Sequence, residues 1–183
     1  MQQISIHNYI TLSGSSYSNL ALSYEVFGPE LGQAPVVMIN HALTGNAKVA
    51  GSEGWWNELV GEGKCIDTSL YTVLAFNVPG NGFDGFEISQ YKDFVAQDIA
   101  RVFLLGLKQL NVPHLFALIG GSLGGGIAWE MAVLFPDMIE NLVPVASDWK
   151  ASDWILAHNK TQLQILSNSS KQLSTVGSCS FSL

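Results

Sequence analysis

The residues with the strongest chemical promise stand together at Gly120-Gly121-Ser122-Leu123-Gly124-Gly125-Gly126. They follow an apolar run, His114 to Ile119, and precede a stretch of helical character from Gly124 to Phe135. A Gly-x-Ser-x-Gly pattern between a buried strand and a helix is the setting of a nucleophile elbow, a serine raised on a sharp, strained turn. Such a turn needs small residues two before and two after the serine, because neighbouring backbone comes close; Gly120 and Gly124 meet that need. A serine so placed can attack an acyl carbon. The helix opening at Leu123 would then aim free N–H groups and its positive dipole end at the oxyanion. The plainer reading is a glycine-rich turn whose serine only caps the helix; the flanking strand and helix favour the elbow.

A second segment, Asn40-His41-Ala42-Leu43-Thr44-Gly45, follows directly on another apolar run. In a fold with such an elbow, the loop after this strand supplies the other oxyanion donor. The spacing therefore assigns backbone N–H groups near Leu43 and at Leu123 to that task. His41 reads as a strand-end histidine that bonds to the loop backbone, in preference to a general base. A nucleophilic serine needs a base within about 2.6–3.2 Å and an acid to orient it. Asp148 or Asp153 with His158 would keep the order Ser…Asp…His, but His158 falls on the same helix as Asp153. The simpler expectation is that Asp148 or Ser152 caps that helix and His158 is exposed. His7 and His114 precede the elbow and read as structural. Trp55, Trp56, Trp129, Trp149 and Trp154 could line a pocket, although aromatic residues more commonly build core.

The elements that must hold these groups are legible as alternating patterns. Leu20 to Phe27 alternates as a half-buried strand does, after a Ser/Gly/Asn-rich turn at Ser13 to Asn19. Pro35 to Asn40, Tyr71 to Val78, His114 to Ile119 and Asn141 to Ala146 are short apolar runs of the kind buried on both faces of a parallel sheet. Tyr91 to Leu110, Gly124 to Phe135 and Ser152 to Leu166 carry helical periodicity. Strands alternating with helices define an α/β fold, with a mainly parallel sheet covered by helices on both faces. The expected organisation is one domain portion over residues 1–166 and a poorly ordered Ser-rich tail over 167–183.

Composition narrows the partners. Of 183 residues, 48% are hydrophobic and only 13% charged, against about 25% charged in an ordinary soluble domain. A net charge of -7, with no basic run, makes nucleic acid and anionic membranes unexpected partners. No apolar stretch approaches the roughly 20 residues that cross a bilayer, and the first residues lack a secretory pattern. Cys65 and Cys179 share no metal or redox spacing and read as reduced thiols of a cytoplasmic protein; no metal and no bound cofactor are expected.

Several spaced motifs together resemble homoserine O-acetyltransferase, an α/β-hydrolase-fold acyltransferase of methionine biosynthesis. They are His41-Ala42-Leu43-Thr44-Gly45, Gly54-Trp55-Trp56, Gly61, Gly63-Lys64, Ile66-Asp67-Thr68, Tyr71, Asn77-Val78 and Gly120 to Gly125, and the resemblance runs from about His41 to about Trp154. It implies Ser122 as nucleophile, Leu43 and Leu123 as backbone oxyanion donors, acetyl-CoA as acyl donor and homoserine as acceptor. The turn Pro79 to Phe86 departs from the family text, which bears on the acceptor. The family also keeps its triad aspartate and histidine near the end of a longer chain, beyond a helical lid, so the resemblance implies an α/β-hydrolase fold with its C-terminal part missing. Three readings stay open: an acyltransferase weakened by that loss, an esterase of small esters, and a non-catalytic truncated product. An unpaired strand near residue 141 would favour a homodimer or larger self-association.

Overall fold

The computed structural model describes residues 1–168. Six strands form the main sheet in the order β1-β2-β6-β3-β7-β8. β1 (Gln2–Ile10), β2 (Ser16–Phe27) and β6 (Thr72–Phe76) run antiparallel in turn, while β6, β3 (Val36–Asn40), β7 (Leu115–Gly121) and β8 (Ile139–Val145) are parallel. A separate parallel pair joins β4 (Val60–Gly61) and β5 (Ile66–Asp67). Every residue of β3 and β6 is buried, as their unbroken apolar runs require of central strands.

Two helices, α1 (Ala96–Gln109) and α2 (Leu123–Leu134), cover one face of the sheet. Leu22, Met38, Leu74, Phe76 and Leu118 meet Ile99, Phe103, Leu107, Ile127 and Met131 there. On the other face Val37, Ile39, Val73 and Ala75 pack beneath Ala47, Val49, Ala50 and Val60, so an irregular segment with the small β4–β5 pair forms that cover. A third helix, α3 (Asp153–Asn168), opens where the Ser152 Oγ accepts the Ile155 N–H (3.3 Å), and its described side chains are almost all exposed.

Five expectations need correction. Asn141 to Ala146 was expected to be buried on both faces, but β8 lies at the sheet edge and has no buried residue. Helices were expected on both faces, but among the described residues α1 and α2 cover one face and the irregular segment with β4–β5 covers the other. β1 was not foreseen; its Ile4 and Ile6 are separated from Tyr9 by His7 and by Asn8, whose φ of +54° interrupts the alternation while the register with β2 is the same on either side. β2 starts at Ser16, which shortens the turn foreseen at Ser13 to Asn19. The continuous helix from Tyr91 to Leu110 is a 3-10 turn, Tyr91–Asp93, followed by α1. The break falls at Val95, where the chain is extended. The buried Asp98 carboxylate accepts the Val95 N–H (3.2 Å), the Leu12 N–H (2.9 Å) and the Tyr9 hydroxyl (2.8 Å). Those bonds cap α1 and tie it to the end of β1. Of the expected tail, Ser167 and Asn168 belong to α3 and the remainder lies outside the described residues. Cys65 is a free, exposed thiol, and Cys179 also lies outside the described residues.

Candidate active site

β7 delivers the elbow to the C-terminal edge of the sheet and α2 leads away from it. At the tip, Ser122 has φ +50° and ψ -116°, a conformation that costs of order 1–3 kcal/mol and persists only where its surroundings impose it. Close packing imposes it here. A Cβ on Gly120 would stand 2.2 Å from the Gly124 carbonyl oxygen, and a Cβ on Gly124 would stand 2.2 Å from that of Asn40 and 2.6 Å from that of His41. The Ser122 N–H donates to the Val145 carbonyl (2.9 Å), and its own carbonyl accepts the N–H groups of Gly125 and Gly126. Its hydroxyl makes no capping bond and the residue is exposed, which removes the helix-cap reading.

β3 delivers the facing loop. Beside the elbow, Leu43, Thr44, Gly45, Val78, Asn81, Phe83 and Leu123 enclose a cavity of about 150 Å³. Leu43 and Leu123 thus border one space, and their backbone N–H groups take no part in the turn and cap bonds around them. Ser122 directly precedes Leu123, which lines the cavity.

His41 is buried and both ring nitrogens are engaged by backbone. Nδ1 donates to the Ala42 carbonyl (2.7 Å) and Nε2 accepts the Val78 N–H (3.0 Å), which stitches the loop after β3 to the loop after β6. Burial holds its imidazole below the ordinary value of 6.5, against the opposing pull of the Ala42 carbonyl. The unfolded chain therefore takes up this proton first as the pH drops. The resulting stability is complete above pH 6.5 and is lost as the pH falls below that value toward the lowered folded one. Melting temperatures are expected to fall as the pH drops below 6.5, and His41→Gln to flatten that slope; a slope unchanged by the substitution would contradict the assignment.

The other histidine considered for catalysis is remote. His158 lies exposed on α3, where its Nε2 pairs with Gln162 Nε2 (3.0 Å), and Asp148 accepts the N–H of its neighbour Trp149. Neither approaches Ser122 through any hydrogen bond. Trp55 and Trp56 stack on each other at 5.0 Å between ring centroids, away from the cavity lining. Among the described residues no cluster of His, Cys, Asp or Glu could hold a metal ion, and no helix is long and apolar enough to cross a membrane.

Several participants were named in the sequence without a place in the site. Asn77 accepts the Ala47 N–H (2.8 Å) and donates to Ser23 Oγ (2.8 Å), while Asn81 and Phe83 close the cavity. The turn around Asn81 was legible as a turn, but nothing in its residue types says that it faces Leu43 across 38 positions of chain.

An exposed serine at a strained strand-to-helix turn, beside two free backbone donors, is the arrangement of the alpha/beta hydrolase fold. Residues 35–176 match the family model of that description, and the chain belongs to this family. Within it, the chain is similar to homoserine O-acetyltransferases. It is 33% identical to that of Nautilia profundicola over 84% of this chain and 47% of the relative, and 36% identical to that of Haloferax volcanii over 74% and 37%. Among solved structures, the homoserine O-acetyltransferase from Staphylococcus aureus superposes with a TM-score of 0.77 at 29% identity, covering 91% of this chain and 52% of that one. Esterase E22 superposes with a TM-score of 0.79 at 22% identity, covering 92% and 53%, a likeness of fold alone. The chain spans about half the length of the curated relatives it matches.

Proposed function

We propose that this chain carries the nucleophile and oxyanion half of an acyltransferase that moves an acetyl group from acetyl-CoA to the hydroxyl of homoserine, a step of methionine biosynthesis. The observation that carries the reading is Ser122, held at φ +50° with its hydroxyl unbonded at the start of α2, next to a cavity bordered by Leu43 and Leu123. Ser122 Oγ attacks the thioester carbonyl carbon, and its proton passes to a base. The N–H groups of Leu43 and Leu123 hold the oxyanion. Collapse expels the CoA thiolate, which takes up a proton, and leaves an acetyl-serine ester. The homoserine hydroxyl then attacks that ester and regenerates Ser122. His41 is spent on Ala42 and Val78 and His158 is remote, so this reading draws the base and its orienting acid from the half that the relatives carry beyond the matched region. The cytoplasm is the compartment this reading assigns, since it draws on acyl-CoA. Exposed Val143, Val145, Trp149 and Trp154 favour self-association when nothing covers them.

An acceptor assay tests the proposal. The chain joined to the second half of the Nautilia profundicola relative, given acetyl-CoA and homoserine, is expected to form O-acetylhomoserine, and Ser122→Ala to abolish it. Hydrolysis of p-nitrophenyl acetate by Ser122 without any acetylation of homoserine would replace this reading by the esterase.

A further inference from the structure

One wall of the cavity beside the elbow is a turn, and a chain of side-chain bonds holds it in place. Asp84 accepts the Ser23 hydroxyl on one carboxylate oxygen and the Phe86 N–H (2.9 Å) on the other. Ser23 Oγ accepts from Asn77 Nδ2 (2.8 Å), and Asn77 Oδ1 accepts both the Ala47 N–H (2.8 Å) and Asn81 Nδ2 (3.4 Å). Asn81 Oδ1 accepts the Phe83 N–H (3.1 Å). Every donor along this chain meets an acceptor, and Ser23 and Asn77 at its centre are each 1% exposed. It joins the turn carrying Phe83 to the segment that follows Leu43. Phe83, 46% exposed, lines the cavity together with Leu43 and Leu123, and the Lys48 ammonium lies 6.0 Å from its ring centroid.

A space of about 150 Å³ is small. At about the size of a cavity that holds one benzene ring, it takes a short acyl unit of a few carbons and not an extended octyl chain. With a carbonyl oxygen held between Leu43 and Leu123, a longer acyl chain entering this space meets the Phe83 ring.

We propose that Phe83 sets the length of acyl chain the site accepts, and that Asp84, acting through Ser23 and Asn77, is the positioning residue that keeps the ring there. This rests on the acyl-serine reading of Ser122. Alkyl fluorophosphonates mimic the acyl chain on a serine-reactive centre, so the test is the rate at which methyl and octyl members modify Ser122 in residues 1–183, followed by peptide mass spectrometry. The methyl probe is expected to react at least about tenfold faster than the octyl probe, the scale on which an apolar pocket discriminates chain length. Phe83→Ala should bring the two rates together and Phe83→Leu should retain part of the difference. Asp84→Ala should erode the ratio as well, and Asp84→Asn, which keeps an acceptor for Ser23, should restore part of it. A melting curve for each variant separates these effects from unfolding. Equal rates for both probes in the wild type, or a ratio unmoved by Phe83→Ala or by Asp84→Ala, would overturn the proposal while Ser122 labelling kept the acyl-serine reading intact. Absence of Ser122 labelling by either probe would overturn both.

Discussion

Gly124→Ala is expected to dismantle the elbow. The added methyl would stand 2.2 Å from the Asn40 carbonyl oxygen and 2.6 Å from that of His41, both backbone atoms of a central strand and the loop it feeds. Neither can swing aside as a flexible side chain would. Relief requires α2 to lift from β3, which breaks the buried contact of the Asn40 amide with the Gly124 carbonyl (3.3 Å) and uncovers Ile127 and Met131. A cost of about 4 kcal/mol places this among the severe point substitutions and consumes a large share of the roughly 5–15 kcal/mol that holds a domain together. Urea denaturation provides the measurement. Gly126→Ala is the control on the same helix: nothing lies within 4 Å of its added Cβ, so alanine there should be neutral or stabilise by up to about 1 kcal/mol. Equal stability of the two variants would contradict the packing argument.

The largest effect on rate is expected in the acceptor assay when residues 1–183 are used alone. A neutral serine hydroxyl is a weak nucleophile until a base takes its proton. In cooperating triads, loss of the base costs about as much as loss of the whole set, roughly 10⁶-fold in kcat, leaving the contribution of oxyanion donors and binding. His41 cannot serve, because its Nδ1–H is given to Ala42 and its Nε2 lone pair accepts from Val78. Acetylation of homoserine by these residues should therefore fall roughly 10⁶-fold below that of a full-length relative, with only the contribution of oxyanion donors and binding left. Turnover within about a hundredfold of a full-length relative, abolished by His158→Ala, would establish a local base on α3 and reverse this view.

The elbow was readable because its requirements are local. Gly120, Ser122 and Gly124 must sit at fixed spacing between a strand and a helix, and the clashes at both glycines give the physical reason. The central parallel strands were readable for a similar reason: burial on both faces leaves an uninterrupted apolar run, as in Val36 to Asn40 and Thr72 to Phe76, whereas the apolar run at Asn141 belongs to β8, an edge strand with no buried residue. β1 was not readable, since an edge strand interrupted at Asn8 keeps little alternation. The break before α1 depends on the Asp98 carboxylate reaching Leu12 and Tyr9, more than 80 positions away, and no window of sequence contains that information. The wall at Asn81 and Phe83 escaped for the same reason, being placed by bonds from Asn77 and Asp84 of its own loop to Ser23 of β2, 54 and 61 positions away. His41 shows the reverse case: a histidine at a strand end was expected to bond its own loop, and it does so on one nitrogen while joining a second loop with the other.

All of this converges on one atom, the hydroxyl oxygen of Ser122. Residues 1–183 treated with a fluorophosphonate and digested should carry the adduct on the peptide containing Ser122, slowly in the absence of a base, and on no other serine. The label should vanish in Ser122→Ala and in Gly124→Ala. A modified serine elsewhere with Ser122 untouched, or labelling that survives Ser122→Ala at the wild-type rate, would contradict the account.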